Sequence, residues 1–387
     1  MGTGSSALGL IDVAGANGKT VTFDNDGVYA NQLNFSDDGK VVLDSSNFTG
    51  AVTTSSNGKG TLQLKGATVT GDIGTSNNKL AKLQVENSTT IDGLIHTNQF
   101  YVYFSDPITF SNTSSSTILV DLGDVFFGSH NASLVFEDNV DLNVTSTSAN
   151  SNNGSFTFEG NSVINGSLGQ DMGNNYVDKI NAGADGKTVI FENDVYANTL
   201  TFLGNGTVIF ADAANFATSI TTALSSTLDI GTNTVTTGTY SHIDGSTLGI
   251  SIDVTNTGQI SANTISFNDS KDNTIDVTVK KNGFLKNGYK ILILNDNDAV
   301  STGNSITPYQ STVIETDSVV YSFTGGTENG DHYLITERKG LDTFSSRSNL
   351  VVLRAVFERA IETDSSLSSD LSNHLIALEN LYHPKRS

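Results

Sequence analysis

The sequence predicts an all-β chain: a right-handed parallel β-helix (β-solenoid) with a C-terminal β cap and a short C-terminal helical pair. Three observations carry this prediction. First, short alternating apolar segments recur at a regular pitch. Val21-Thr22-Phe23, Val41-Val42-Leu43, Leu62-Gln63-Leu64, Leu83-Gln84-Val85 and Val102-Tyr103-Phe104 begin 19 to 21 residues apart, and alternation means that each strand buries one face. Second, the chain echoes itself. Gly18-Lys19-Thr20-Val21-Thr22-Phe23 returns as Gly186-Lys187-Thr188-Val189-Ile190-Phe191, and Val28-Tyr29-Ala30-Asn31 returns as Val195-Tyr196-Ala197-Asn198. Such long-range self-similarity marks stacked coils. Third, 3 prolines against 37 glycines leave Gly and Asn to make the turns. An antiparallel sandwich would show turn signals every ~8–12 residues and no long-range echo, so the solenoid is favoured.

Residues 7–227 supply the rungs. The series continues through Leu134-Val135-Phe136, Phe156-Thr157-Phe158, Val189-Ile190-Phe191 and Val208-Ile209-Phe210. The steps before Leu134 and Val189 are 32 and 33 residues, and both are read as coils carrying inserted loops. Turn residues such as Asn57-Gly58, Asp72, Asp92-Gly93 and Asn165-Gly166 separate the strands. Residues 228–340 have longer strands, including Thr274–Val279 and the near-continuous apolar run Gly288–Leu294, with 295–312 and 324–331 read as loops. A solenoid end needs covering because its last coil leaves backbone groups and apolar ladders open, so 228–340 is read as the cap. Residues 341–387 hold two amphipathic helical patterns, one through Leu350, Leu353, Phe357 and Ile361 and one through Leu367, Leu371, Leu375, Leu378 and Tyr382.

Composition bounds the function. The net charge is −21, concentrated before residue 341, which makes nucleic acid an unsuitable partner because phosphate contacts need basic residues. With no cysteine, thiolate metal sites, disulfides and cysteine nucleophiles are excluded. No apolar run reaches the ~18 residues of a spanning helix, so the chain is not itself membrane-spanning. The start Met1-Gly2-Thr3-Gly4-Ser5-Ser6 has neither a basic region nor an apolar stretch. It is read as appended residues on a fragment of a longer protein.

The order of solenoid, denser β region and helical pair resembles the passenger domain of Gram-negative autotransporters (type V secretion). The resemblance rests on Gly245-Ser246-Thr247-Leu248-Gly249-Ile250-Ser251-Ile252, on Asn287-Gly288-Tyr289-Lys290-Ile291-Leu292, and on the tail from Arg347 to Leu378. Ser226-Thr227-Leu228-Asp229-Ile230-Gly231-Thr232-Asn233-Thr234-Val235 is similar in style to rickettsial outer-membrane surface antigens of the A and B type. The resemblance implies a virulence-type adhesin or invasion protein on the bacterial cell surface, at the extracellular face of the outer membrane. Its implied partners are a host cell-surface protein or glycan and its own C-terminal translocator barrel, which is absent from this sequence. It also implies that 228–340 acts as an autochaperone and that 341–387 precedes the barrel.

No hydrolase elbow, zinc-protease motif, phosphate loop or calcium nonapeptide occurs, and Gly325–Asp331 imitates the last only loosely. His96, His130, His242, His332, His374 and His383 are dispersed without metal-ligand spacing. Asp24 with Asp26 and Asp37 with Asp38 are read as turn carboxylates in preference to an acid–base pair. The expectation is therefore no catalytic residue, no cofactor and no metal. Phe100, Tyr101 and Tyr103, in His96-Thr97-Asn98-Gln99-Phe100-Tyr101-Val102-Tyr103-Phe104, are the candidate recognition residues, because exposed aromatics bind sugars and protein hot spots. The alternatives are a polysaccharide-binding or polysaccharide-cleaving β-helix enzyme and an inert stalk or surface-layer element.

Overall fold

A computed structural model describes residues 1–339, apart from 16–18, 25, 115, 129–130, 150–152, 171–174, 254–255, 281–284, 299–306 and 319–320. The helical pair expected over 341–387, with His374 and His383, lies outside the described residues, as does His130. The described chain is all β, and it divides into two compact units, Met1–Ser226 and Thr227–Ser387.

The first unit is a parallel β-solenoid built from two stacks of strands. One stack runs Thr20–Asp24, Lys40–Asp44, Lys59–Lys65, Leu80–Val85, Gln99–Val102, Ile118–Gly128, Val140–Ala149, Ser162–Asn165, Thr188–Phe191 and Thr207–Phe210. The other begins Ile11–Val13, Val28–Phe35, Phe48–Thr54, Thr68–Thr70, Thr89–Asp92 and Ile108–Ser111. It goes on through Ser133–Phe136, Ser155–Phe158, Val177–Ala182, Val195–Phe202 and Ala214–Thr221. Every strand pairs in parallel with the equivalent strand one coil away, as Leu43 with Leu64 and Leu64 with Val85. The predicted pitch is the real repeat as far as Val85; the next rung is Gln99–Val102 with Phe100 opposite Leu83, so Tyr103 and Phe104 of the expected rung lie past the strand.

The two long steps have a different cause from the one expected. Leu134–Phe136 and Phe156–Phe158 lie in the second stack, whereas Val102 and Val189 lie in the first. Both stacks alternate apolar and polar residues with the same period of 2, so the sequence does not say which one a strand joins. Coil length does vary: Phe100 pairs with Val125, and Ile164 pairs with Phe191. The steps of 32 and 33 residues therefore combine a change of stack with modest extra turn length.

Inward positions form ladders. Phe110, Phe136 and Phe158 occupy one register, with ring centroids 4.9 Å and 5.1 Å apart in stacked geometry, and all three are fully buried. At the turns, Asn and Asp carboxamide and carboxylate oxygens accept backbone N–H groups of the next coil. Asn57 Oδ1 accepts from Lys79 (3.0 Å), Asp72 from Leu94 (3.0 Å) and Asn161 from Thr188 (3.0 Å). This pairing satisfies donors that no strand reaches, and it explains an Asn- and Asp-rich, proline-poor chain. Gly50, Gly71 and Gly93 stack at one corner with φ of +139°, +133° and +149°, where a Cβ on Gly71 would run into the Gly50 carbonyl oxygen and one on Gly93 into that of Gly71.

The echoed segments are structural equivalents. Val28–Phe35 and Val195–Phe202 both run through a register shift, between Tyr29 and Gln32 and between Ala197 and Thr199. Their inward residues correspond: Val28, Ala30, Leu33 and Phe35 match Val195, Ala197, Leu200 and Phe202, all buried.

The second unit starts as the same kind of parallel coil. Thr227–Asp229, Thr247–Ile252, Thr274–Val279 and Val313–Thr316 form one stack. Thr234–Ser241, Gln259–Ser266 and Lys290–Asp296 form the other. It then changes direction: Asp331–Arg338 pairs antiparallel with both Lys290–Asp296 and Tyr321–Glu328. The expected loop 324–331 is thus a β-hairpin. Its two-residue turn is Asn329-Gly330, with φ of +55° and +89°, the combination a two-residue hairpin turn demands. Within Lys290–Asp296, Ile291, Ile293 and Leu294 are buried, while Tyr289 just before it is exposed.

Candidate functional site

The aromatic segment divides between core and surface. Phe100 points inward, fully buried, with its ring 5.9 Å from Phe110. It therefore leaves the set of recognition residues: on a strand of period 2 it shares a face with Val102, which is also buried. Tyr101 and Tyr103 take the opposite face. Tyr101 pairs with Gln84 of one neighbouring coil and Phe126 of the other. Its ring stacks on Phe126 at 4.5 Å with planes 14° apart, and on Tyr103 at 6.0 Å and 11°. Lys82 Nζ sits 4.5 Å from the Tyr101 ring centroid, an attractive placement over the negative face of the ring.

The outer end of this cluster is open to solvent, with Tyr103 38% and Phe104 46% exposed. Gln84 Nε2 donates to the Tyr103 hydroxyl oxygen at 3.3 Å. Burial pushes the Tyr103 hydroxyl above its ordinary value, and Tyr101 and Glu86 add to the effect. Beside it, Lys65 Nζ lies 3.3 Å from Glu86 Oε2, and Gln63 donates to the same carboxylate. The faces of the Tyr101 ring are taken up by Phe126, Tyr103 and Lys82. Such a strip suits edge contacts and hydrogen bonds from phenol, amide and ammonium groups better than flat stacking of a sugar. Phe126 and Lys82 belong to this site although the aromatic segment alone does not announce them. Phase reading could have found Phe126, since Val125 and Phe127 flank it as buried core residues.

His96 is buried one coil along from Lys79 and faces Asp121 of the coil after. Its Nδ1 is 3.5 Å from Asp121 Oδ2, and Lys79 Nζ is 2.6 Å from the same oxygen. The lysine holds the carboxylate, and His96 Nδ1 has no hydrogen-bond partner. This arrangement compensates a buried charge at a coil corner. Asp37 and Asp38 meet Lys59, whose Nζ is 2.7 Å from Asp38, and that bond raises the Lys59 pKa. They act as turn carboxylates. Asp24, the last residue of the strand Thr20–Asp24, and Asp26 are both exposed.

One arrangement in the second unit has the outline of a nucleophile and base: Ser246 Oγ is 3.0 Å from His242 Nε2, and Tyr240 OH is 2.8 Å from His242 Nδ1. Ser246 is wholly buried and its hydroxyl donates to the Ile243 carbonyl at 2.7 Å, so the oxygen is neither accessible nor activated toward a substrate. Among the described residues, no group of three or more His, Asp or Glu side chains is placed to hold a metal ion. No helix among them is long and apolar enough to cross a membrane. No protein-family model, no curated protein and no solved structure matches this chain.

Proposed function

We propose that the chain is a non-catalytic, surface-displayed solenoid of the autotransporter passenger type, binding a host cell-surface protein or glycan from the extracellular face of the outer membrane. The observation that carries this reading is the partly exposed strip of Tyr101, Tyr103, Phe126 and Lys82 in the first unit, with the exposed Phe104 next in sequence. Aromatic side chains on rigid strands lose little freedom on binding, so they make good anchors. In the same reading, the antiparallel hairpin region of 228–340 serves as the cap and as a folding template during export, and 341–387 leads to the translocator barrel.

The test is a binding assay with the purified chain on cultured host cells, paired with competition against whole-bacterium attachment. Saturable binding that drops at least ~10-fold in Tyr103→Ala/Phe104→Ala supports the reading, since paired anchor residues carry ~1–2 kcal/mol or more. Release of reducing sugar from any glycan would overturn it in favour of an enzyme. Self-association without cell binding would favour a stalk or surface-layer element.

A further inference from the structure

The second unit buries two imidazoles in one cluster. His242 is 3% exposed and His332 6%. His242 follows the strand Thr234–Ser241, His332 sits at the start of Asp331–Arg338, and Phe267 follows Gln259–Ser266. The Phe267 ring lies 4.7 Å from His242 and 5.1 Å from His332, centroid to centroid. Each imidazole has its own tyrosine: Tyr240 OH is 2.8 Å from His242 Nδ1, and Tyr309 OH is 2.6 Å from His332 Nδ1.

The hydrogen bonds fix the protonation state of His242. Ser246 Oγ gives its proton to the Ile243 carbonyl, so toward the ring it can only accept. Nε2, 3.0 Å from that oxygen and 3.2 Å from the Ser246 carbonyl, therefore carries the ring proton. Nδ1 is left bare and accepts from Tyr240. A second proton on Nδ1 would meet the hydroxyl proton of Tyr240, a fully buried side chain. That buried hydroxyl would lose its acceptor, which is costly. Charging His332 as well would set a second positive charge across Phe267 from the first.

The carboxylates that face the cluster are already committed. Asp244, beside His242, accepts from Asn273 Nδ2 at 3.5 Å. Asp331, beside His332, accepts from the Asp296 amide and the Tyr333 hydroxyl, each at 2.9 Å. Asp269, near Tyr309, accepts from the amides of Gln310, Ser311 and Thr312 at 2.6, 3.0 and 2.7 Å. On the strands beside His332, Lys290 pairs with Glu328.

The geometry points to an acid-sensitive latch: His242 and His332, neutral and packed on Phe267, hold the turn 242–246, the segment 267–269 and the hairpin strand Asp331–Arg338 together, and protonation of the pair releases them. Burial pulls both histidines from about 6.5 down to about 4. At His242 the Ser246 carbonyl and Asp244 oppose the shift and His332 adds to it, and at His332 Asp331 opposes it.

The test follows amide hydrogen exchange, corrected for intrinsic rates, in the full chain from pH 7 to pH 4. Peptides covering 240–246, 267–269 and 331–334 should lose protection by ~100-fold as pH falls from ~6.5 to ~4, while peptides covering 28–102 keep theirs. In His242→Asn/His332→Asn the carboxamide oxygen retains an acceptor for each tyrosine but cannot take a charge, and protection should persist to pH 4. Should that variant fail to fold, proton NMR of the unaltered chain decides the matter: the imidazoles that show cross-peaks to Phe267 should titrate at least 1 unit below the ordinary ~6.5. Protection retained to pH 4 in the unaltered chain, the same loss in the double variant, or imidazoles titrating near 6.5 would each overturn the latch.

Discussion

The described strands of the first unit pair in parallel, whereas those of the second begin as parallel coils and end in an antiparallel hairpin. The difference shows in what each buries. The first unit fills its interior mainly with repeating Phe, Leu, Val and Ile ladders, uses Asn and Asp at the turns, and buries Asp121 beside Lys79 and His96. The second unit buries Tyr240, His242 and Ser246 as a hydrogen-bonded group at a coil turn, and His332 meets it across Phe267. A coil that only repeats can satisfy each backbone group from its neighbour. At a turn between coils, where no strand pairs, a buried side chain completes the hydrogen bonding, as Ser246 does for the Ile243 carbonyl.

Acid should separate the two regions most strongly. A histidine whose folded pKa is depressed contributes stability that is fully present above its unfolded value, ~6.5, and lost as pH falls toward the folded value of about 4, because the unfolded chain takes up the proton first. Each histidine accounts for ~3 kcal/mol across that window. Denaturation monitored separately for the two units should therefore show the second failing between pH ~6.5 and ~4. Equal loss in both units would erase the distinction.

Next in size, Phe136→Ala should cost the first unit ~3–5 kcal/mol in chemical denaturation, since it removes the middle of a stacked Phe ladder. Because coils in an array depend on their neighbours, the loss should broaden unfolding in the first unit and leave the second unchanged. Asp269→Ala should destabilise the second unit by ~1–3 kcal/mol, as it strips the acceptor from three consecutive amides, and thermal unfolding would read this. The smallest effect belongs to Tyr103→Ala, which should change stability by less than ~1 kcal/mol while weakening cell binding. A large loss of stability there would make the aromatic strip a packing element.

Much of the solenoid was legible because its signal is local. The 20-residue pitch, the period-2 alternation and the Gly and Asn turns each belong to a few neighbouring residues. Period 2 also requires that Phe100 and Tyr101 face opposite ways. The hairpin was equally present as Asn329-Gly330 between Tyr321-Ser322-Phe323 and Tyr333-Leu334-Ile335, yet its glycine-rich flank hides it as a loop. The stacking partner of Tyr101 was not legible, because Phe126 comes from the next coil and register depends on turn length.

By itself, then, the sequence determined an all-β, repeating, proline-poor chain with parallel coils, since pitch and alternation act through the backbone wherever a strand lies. Only the tertiary structure decided which stack each strand joined, that Phe100 is core while Tyr103 is surface, and that His242 and His332 meet at Phe267. Those outcomes depend on contacts between residues tens of positions apart, and no local propensity encodes the length of the turns that bring them together.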